Sequence, residues 1–176
     1  MTTTSSTHRA WTLGSDIDTD QLAPGAYMKF SIDEIAKHCL QGVRPDFAAG
    51  VQRGDVLVAG ENFGIGSSRE QAASALVALG LHAVIAPNYS GLYFRNAFNV
   101  GLLLLTCERC GDIAEGERIA IDLATDTPTL TRANGDVLAC EPIPGFLLDM
   151  VRAGGLLNQL KHRLASGELK RHPMRA

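Results

Sequence analysis

A surplus of basic residues is missing from this chain: 16 Lys and Arg stand against 19 Asp and Glu, for a net charge of −3. That balance excludes a nucleic-acid footprint and a cationic face for a membrane surface. No apolar run approaches the ~20 residues that a spanning helix needs. Cysteine is sparse, with only Cys39, Cys107, Cys110 and Cys140. Cys107-x-x-Cys110 has the spacing of half a metal knuckle or of a redox pair. A closed zinc site needs four ligands, however, and neither the other two cysteines nor the five histidines show ligand spacing. Reduced thiols and no bound metal are expected. The opening Met1 to Thr7 is polar, without the apolar core of a secretory signal, and an organelle presequence would carry more arginine. Residues 1–8 are read as a loose tail, 9–168 as one domain and 169–176 as a basic tail, with the cytosol as the compartment. A hydrophobic content of 45% and a charged content of 20% are ordinary globular values.

What is present centres on Gly60-Glu61-Asn62-Phe63-Gly64-Ile65-Gly66-Ser67-Ser68-Arg69-Glu70-Gln71. The apolar run Val56 to Ala59 before it reads as a buried strand. The Ala- and Leu-rich run from Ala72 to Leu79 after it reads as a helix stopped by Gly80. Strand, glycine-rich turn and helix start in this order make a place to hold an anion, because the first helical amides have no intrahelical partner. Two common phosphate loops do not fit. A Walker loop needs a lysine followed by Ser or Thr, and no lysine is near Gly66. A dinucleotide fingerprint needs a third glycine where Arg69 stands and an acid about 20 residues on, whereas residues 81–95 contain no Asp or Glu.

Two serines and an arginine at a helix start remain to be explained. Ser67-x-x-Glu70 and Ser68-x-x-Gln71 both fit the capping box. Only one serine can be the cap; if it is Ser68, the Ser67 hydroxyl is free to face an anion beside Arg69. A guanidinium matches a carboxylate bidentately, so the site suits a small carboxylic acid.

These residues resemble the signature of the aconitase swivelling-domain family, and within it the free-standing small subunits of isopropylmalate-type dehydratases. The resemblance is carried by Asn62-Phe63-Gly64-x-Gly66-Ser67-Ser68-Arg69-Glu70, by Asp16-Ile17-Asp18-Thr19-Asp20, and by Tyr93 to Asn99 with Gly101-Leu102-Leu103. It implies a swivelling three-layer β/β/α fold and a hydro-lyase that dehydrates and rehydrates a 2-hydroxy dicarboxylic acid. It implies Ser67 as the base, acting as an alkoxide, with Arg69 clamping a substrate carboxylate and Gly66 and Ser68 lining the site. Asp18 and Asp20 stand at its mouth; the bland reading of this acidic loop is a turn built by its own side chains, and the calcium-loop pattern is absent. The loop Tyr27-Met28-Lys29-Phe30 would meet the variable part of the acid, with Lys29 for a distal carboxylate or Met28 and Phe30 for an alkyl group. The family's [4Fe-4S] cluster belongs to a large partner subunit, so no cofactor is expected in this chain and it is expected to be inactive alone. 3-Isopropylmalate, in leucine biosynthesis, is the first expectation for the substrate. Homoaconitate, citraconate-type acids and 2,3-dimethylmalate are its rivals. Ile65, Gln71 and Leu104 depart from the usual cysteine, histidine and proline of the family.

Along the rest of the chain, residues 11–14 read as a first strand. Ser31-x-x-Glu34 opens an amphipathic helix ending at Gly42, and Arg44 to Phe47 read as a linker. Ala83 to Ala86 and Leu102 to Leu105 read as strands around a helix over 91–98 that Ser90 can cap. This β-α-β-α-β order predicts parallel strands with crossover helices. Arg95, Asn96 and Asn99 lie near strand ends, where such sheets place ligands; they could equally tie loop backbone together. Arg118 to Leu123 alternates as a strand. Asn134-Gly135 marks a hairpin, and two helices follow around Gly154-Gly155. The fold class is α/β, with a mostly parallel core and an added antiparallel hairpin. Two other functions fit the same residues: a non-catalytic module that holds a small anion or only its partner, and a nucleotide-binding module.

Overall fold

The computed structural model describes residues 7–125 and 127–167. Its strands are β1 (Thr7–Thr12), β2 (Val56–Val58), β3 (Ala83–Ala86), β4 (Leu103–Thr106), β5 (Arg118–Asp122), β6 (Thr129–Thr131) and β7 (Val137–Ala139). Its helices are α1 (Thr19–Leu22), α2 (Ile32–Lys37), α3 (Phe47–Gly50), α4 (Gln71–Ala78), α5 (Gly91–Asn99), α6 (Gly145–Arg152) and α7 (Leu156–Ala165). The strands form one sheet in the order β4-β3-β2-β1-β5-β6-β7. From β4 to β1 the pairs are parallel, with Leu57 opposite Val84 and Val84 opposite Leu104. From β1 through β5 to β7 they are antiparallel. The continuous apolar runs of β2 and β3 are buried along their whole length, as strands covered on both faces must be.

Each crossover from β1 to β2, β3 and β4 moves one strand in the same direction, so right-handed connections put the intervening helices on one face. Accordingly α1 and α2 pack on α4, α4 on α5, and α5 on α6 and α7. The opposite ends of the strand order meet: the Glu141 amide just after β7 donates to the Thr106 carbonyl of β4 at 2.8 Å. The sheet therefore curls over itself, and Ile119, Leu130 and Leu138 of the antiparallel wing are buried. This is the β/β/α layering expected, with the expected hairpin of β6 and β7 joined to β1 through the expected strand β5.

Several local expectations need correction. The first strand begins at Thr7, so Thr7 and His8 belong to the sheet and not to a tail, pairing with Ala120 and Ile119. Residues 1–6 and 168–176, with the rest of the two expected tails, lie outside the described residues. The helix opened by Ser31 stops at Lys37; Leu40 turns left-handed at φ 61 and its amide donates to the Gln21 carbonyl, a tertiary bond that diverts the chain. Phe47 is no linker residue but fully buried, edge-on to Trp11 at 5.3 Å. The Asn134-Gly135 turn joins β6 and β7, with Thr131 opposite Val137, so five residues make the loop. Ser90 sits at the cap position of α5, but its hydroxyl makes no capping bond.

Candidate active site

Two loops run side by side at the carboxyl ends of β1 and β2. The Gly60 amide donates to the Gly14 carbonyl, Asp16 to Glu61, Gly64 to Ile17 and Thr19 to Ile65, all between 2.7 and 3.1 Å. Asn62 and Asp16 both take φ 61, and the Asn62 amide side chain donates to the Asp16 carboxylate at 2.8 Å. The backbone of Phe63 is laced on its other side to Asn88 and Ser90. Gly64 is left-handed at φ 78 and lies directly on the buried Tyr93 ring, where a Cβ would come 2.2 Å from Cγ. Gly66 follows at φ 101. The acidic loop and the glycine-rich loop, read separately in sequence, are one structure.

The capping expectation fails in an instructive way. Helix α4 begins only at Gln71, and its cap position is Glu70, with no side-chain bond. Neither serine caps it. Ser67, Ser68 and Arg69 stand in an irregular stretch ahead of the helix, with both serines exposed. Instead of capping, Ser67 is held by Thr19: the Ser67 amide donates to Thr19 Oγ1 at 3.1 Å, and the two hydroxyl oxygens are also 3.1 Å apart. The Ser68 carbonyl accepts from the Asn96 side chain of α5 at 3.0 Å. Asn96 thus ties loop backbone, one of the two roles open to it in sequence.

Arg69 is aimed by a single nitrogen. Its Nη1 donates to Asp20 Oδ1 and to the Ala23 carbonyl, each at 2.7 Å. Among the described residues Nε and Nη2 have no hydrogen-bond partner, which leaves one edge of the guanidinium for a bidentate carboxylate. Asp20 Oδ1 also accepts from the Gly25 amide at 3.0 Å. Arg69 first, and that amide second, hold the Asp20 carboxyl below its ordinary pKa. Asp20 is therefore an anion that orients Arg69 and ties it to the Gly25–Tyr27 turn. Asp18 acts elsewhere. Its Oδ1 accepts from the Gln21 amide, and the Gln21 side chain accepts from the Asp18 amide, a complete capping box for α1.

The Arg69–Asp20–Gly25 chain of bonds links the loop at 27–30 to the site. Tyr27 stacks on His38 with ring centroids 3.5 Å apart, and Met28 packs partly buried on the core. Both wall the loop from within. Lys29 is exposed and has no ion-pair partner among the described residues. Phe30 is 57% exposed. Ser67, Arg69, Gly66, Ser68 and Asp20 are thus brought together, Lys29 and Phe30 are exposed just after the Gly25–Tyr27 turn that Asp20 holds, and Asp18, Tyr27 and Met28 hold the scaffold.

Thr19 and the Ala23 carbonyl are the contacts that the sequence did not single out. Thr19 stood in plain view between two acids, and its burial was the missing signal. Among the described residues no group of three or more His, Cys, Asp or Glu side chains is placed to hold a metal ion, and no helix is long and apolar enough to cross a membrane. The four cysteines are free and buried.

Known proteins are similar to this chain in sequence and in fold. A family model described as the aconitase C-terminal domain matches residues 44–110. The 3-isopropylmalate dehydratase small subunit of Sulfurimonas denitrificans is 42% identical over 151 residues, covering 85% of this chain and 90% of that protein. The methanogen homoaconitase small subunit of Methanothermobacter thermautotrophicus is 39% identical over 160 residues, covering 90% and 92%. A crystal structure of 3-isopropylmalate dehydratase (leuD) from Methanocaldococcus jannaschii superposes with a TM-score of 0.85 at 39% identity, covering 92% of this chain and 96% of that one.

Proposed function

Because the chain belongs to the aconitase-type family of 3-isopropylmalate dehydratase small subunits, we propose that it is the small subunit of a hydro-lyase acting on a 2-hydroxy dicarboxylic acid, with 3-isopropylmalate as substrate and leucine biosynthesis as its setting. The observation that carries the reading is the pairing of an exposed Ser67 hydroxyl, fixed from below by a buried residue, with an Arg69 that keeps one edge open.

The reaction removes a proton from a carbon next to a carboxylate and a hydroxyl from its neighbour. Arg69 binds a substrate carboxylate and holds the acid in line. Ser67 Oγ, as alkoxide, takes the carbon-bound proton; that electron pair becomes the double bond as the hydroxyl leaves with its own pair and takes a proton from solvent to become water. Rehydration with the opposite placement completes the isomerisation. A [4Fe-4S] cluster, which this reading puts on the large subunit, supplies Lewis-acid chemistry for the departing hydroxyl.

An alkoxide is unfavourable in water, and Ser67 of the free chain is open to water. A covering surface is needed to strengthen the electrostatics around it. On this reading the large iron–sulfur subunit is that surface, and the chain is inactive until docked. Four free thiols support a reducing compartment, the cytosol.

A second substrate is favoured by one feature. Lys29, exposed on the loop after the Gly25–Tyr27 turn, would suit the distal carboxylate of homoaconitate, whereas Phe30 beside it suits an alkyl group. Anaerobic reconstitution with the large subunit, assayed on both acids, tests the proposal. Turnover that needs both chains and is lost with Arg69→Lys supports it. A firm complex without turnover of either acid sinks the substrate assignment, and turnover by Arg69→Lys at the wild-type KM sinks the clamp.

A further inference from the structure

We infer that Thr19 is a positioning residue for the base: its hydroxyl donates the hydrogen bond that holds Ser67 Oγ and stabilises that oxygen when it is deprotonated. The inference rests on the reading of Ser67 as base and adds to it a group that tunes its basicity.

Counting protons sets the direction of this bond. Thr19 is 2% exposed, so water does not serve its hydroxyl. Its backbone is committed elsewhere: its amide donates to the Ile65 carbonyl at 2.9 Å and its carbonyl accepts from the Ala23 amide at 3.0 Å. Two contacts reach Thr19 Oγ1, the Ser67 amide and the Ser67 hydroxyl, both at 3.1 Å. An amide can only donate, so Oγ1 accepts there. A threonine hydroxyl has one proton. Directed at Ser67 Oγ, it is satisfied; were Ser67 the donor instead, the buried Thr19 proton would have no acceptor, an uncompensated desolvation. The paired arrangement therefore has Thr19 donating, and it leaves the Ser67 proton free to face the open side. A donor already in place before the charge develops strengthens as the oxygen becomes anionic. Gly66 keeps the approach open, since a Cβ there would press on Thr19 Oγ1 at 3.1 Å.

The test is steady-state kinetics of the reconstituted complex on 3-isopropylmalate, with kcat measured across pH. Thr19→Val keeps the shape and removes the hydroxyl. Removing one oxyanion donor typically costs about 10²–10³-fold in kcat, and a loss of that order with little change in KM is expected. The low-pH limb of kcat should move to higher pH, because the base has become harder to ionise. Thr19→Ser restores the donor, and its limb should return to the wild-type position. A purely structural role would lower kcat alike at every pH. If the valine variant does not form the complex, Thr19→Ala makes the same deletion without adding a methyl group. A pH limb unmoved in the variants that assemble overturns the inference while Ser67→Ala remains inactive. If Ser67→Ala itself turns over normally, the base reading fails, which is a distinct result.

Discussion

Replacing Gly64 by alanine is the sharpest perturbation of the scaffold under the site. Gly64 has φ 78, and an added Cβ would lie 2.2 Å from Tyr93 Cγ, 2.4 Å from Tyr93 Cβ and 2.7 Å from Tyr93 Cδ1. Carbon atoms in contact sit about 3.5 Å or more apart, so ring and loop must separate by about 1.3 Å. The Tyr93 ring cannot retreat freely, being 1% exposed and packed edge-on to Phe63 at 5.2 Å. Left-handed backbone costs a residue with a Cβ about 1–2 kcal/mol, and overpacking adds about 1–3 kcal/mol. Together they amount to roughly 2–5 kcal/mol, a fall in Tm of about 4–20 °C for a chain of this size. Because Gly64 is three residues from Ser67, kcat of the reconstituted enzyme should also fall, by about 10²-fold for a 1 Å displacement. Gly91→Ala is the control: nothing lies within 4 Å of its Cβ position and it begins α5, so it should be neutral or stabilising by up to about 1 kcal/mol. Thermal and urea unfolding of both variants decide the matter. A Gly64→Ala variant within about 0.5 kcal/mol of wild type would refute the reasoning, since it would mean that the loop has room to move off Tyr93.

Asp55 should be a stability hub. The residue is 5% exposed and its Oδ2 accepts from Arg9, Trp11 and the Gln52 amide. Burial would raise its pKa, but these donors, Arg9 foremost, outweigh it and hold the carboxyl below its ordinary value. The stabilisation is therefore complete above the unfolded carboxyl's pKa of about 3.9 and is lost as pH falls through the lower folded value. Asp55→Ala should cost about 2–4 kcal/mol at neutral pH, and Tm measured against pH should show its deficit shrinking in acid. Tyr93→Phe should be neutral or stabilising by up to about 1 kcal/mol, because the Tyr93 hydroxyl is buried with no hydrogen-bond partner among the described residues; chemical denaturation reads this directly. Lys29→Met should raise KM for homoaconitate more than for 3-isopropylmalate, by about tenfold or more if a charge-assisted contact is lost; equal effects on both acids would remove Lys29 from substrate recognition.

The sequence was most legible where one residue type has one reason to be present. Buried parallel strands such as Val56–Val58 and Ala83–Ala86 appear as unbroken apolar runs, and Gly64 and Gly66 mark a loop that side chains could not follow. It was least legible where tertiary partners decide. Thr7 and His8 look like tail residues until β5 pairs with them. Ser67 and Ser68 fit a capping pattern, yet Thr19 and Asn96 draw the loop away from the helix before α4 begins. Asp20 looked like a substrate contact equal to Asp18, and only the fold shows one acid aiming Arg69 while the other caps α1. Asp55 carried no local sign of this role, because two of its donors, Arg9 and Trp11, lie more than 40 residues away in β1.

The central claim, that this chain supplies the base, is tested most directly by exchange of the substrate's carbon-bound hydrogen in heavy water, catalysed by the complex reconstituted with Ser67→Ala. A general base contributes about 10²–10⁴-fold. Exchange and turnover should fall together by at least that range, with complex formation and substrate binding unchanged. Exchange at the wild-type rate in the Ser67→Ala complex would contradict the claim and place the base on the partner.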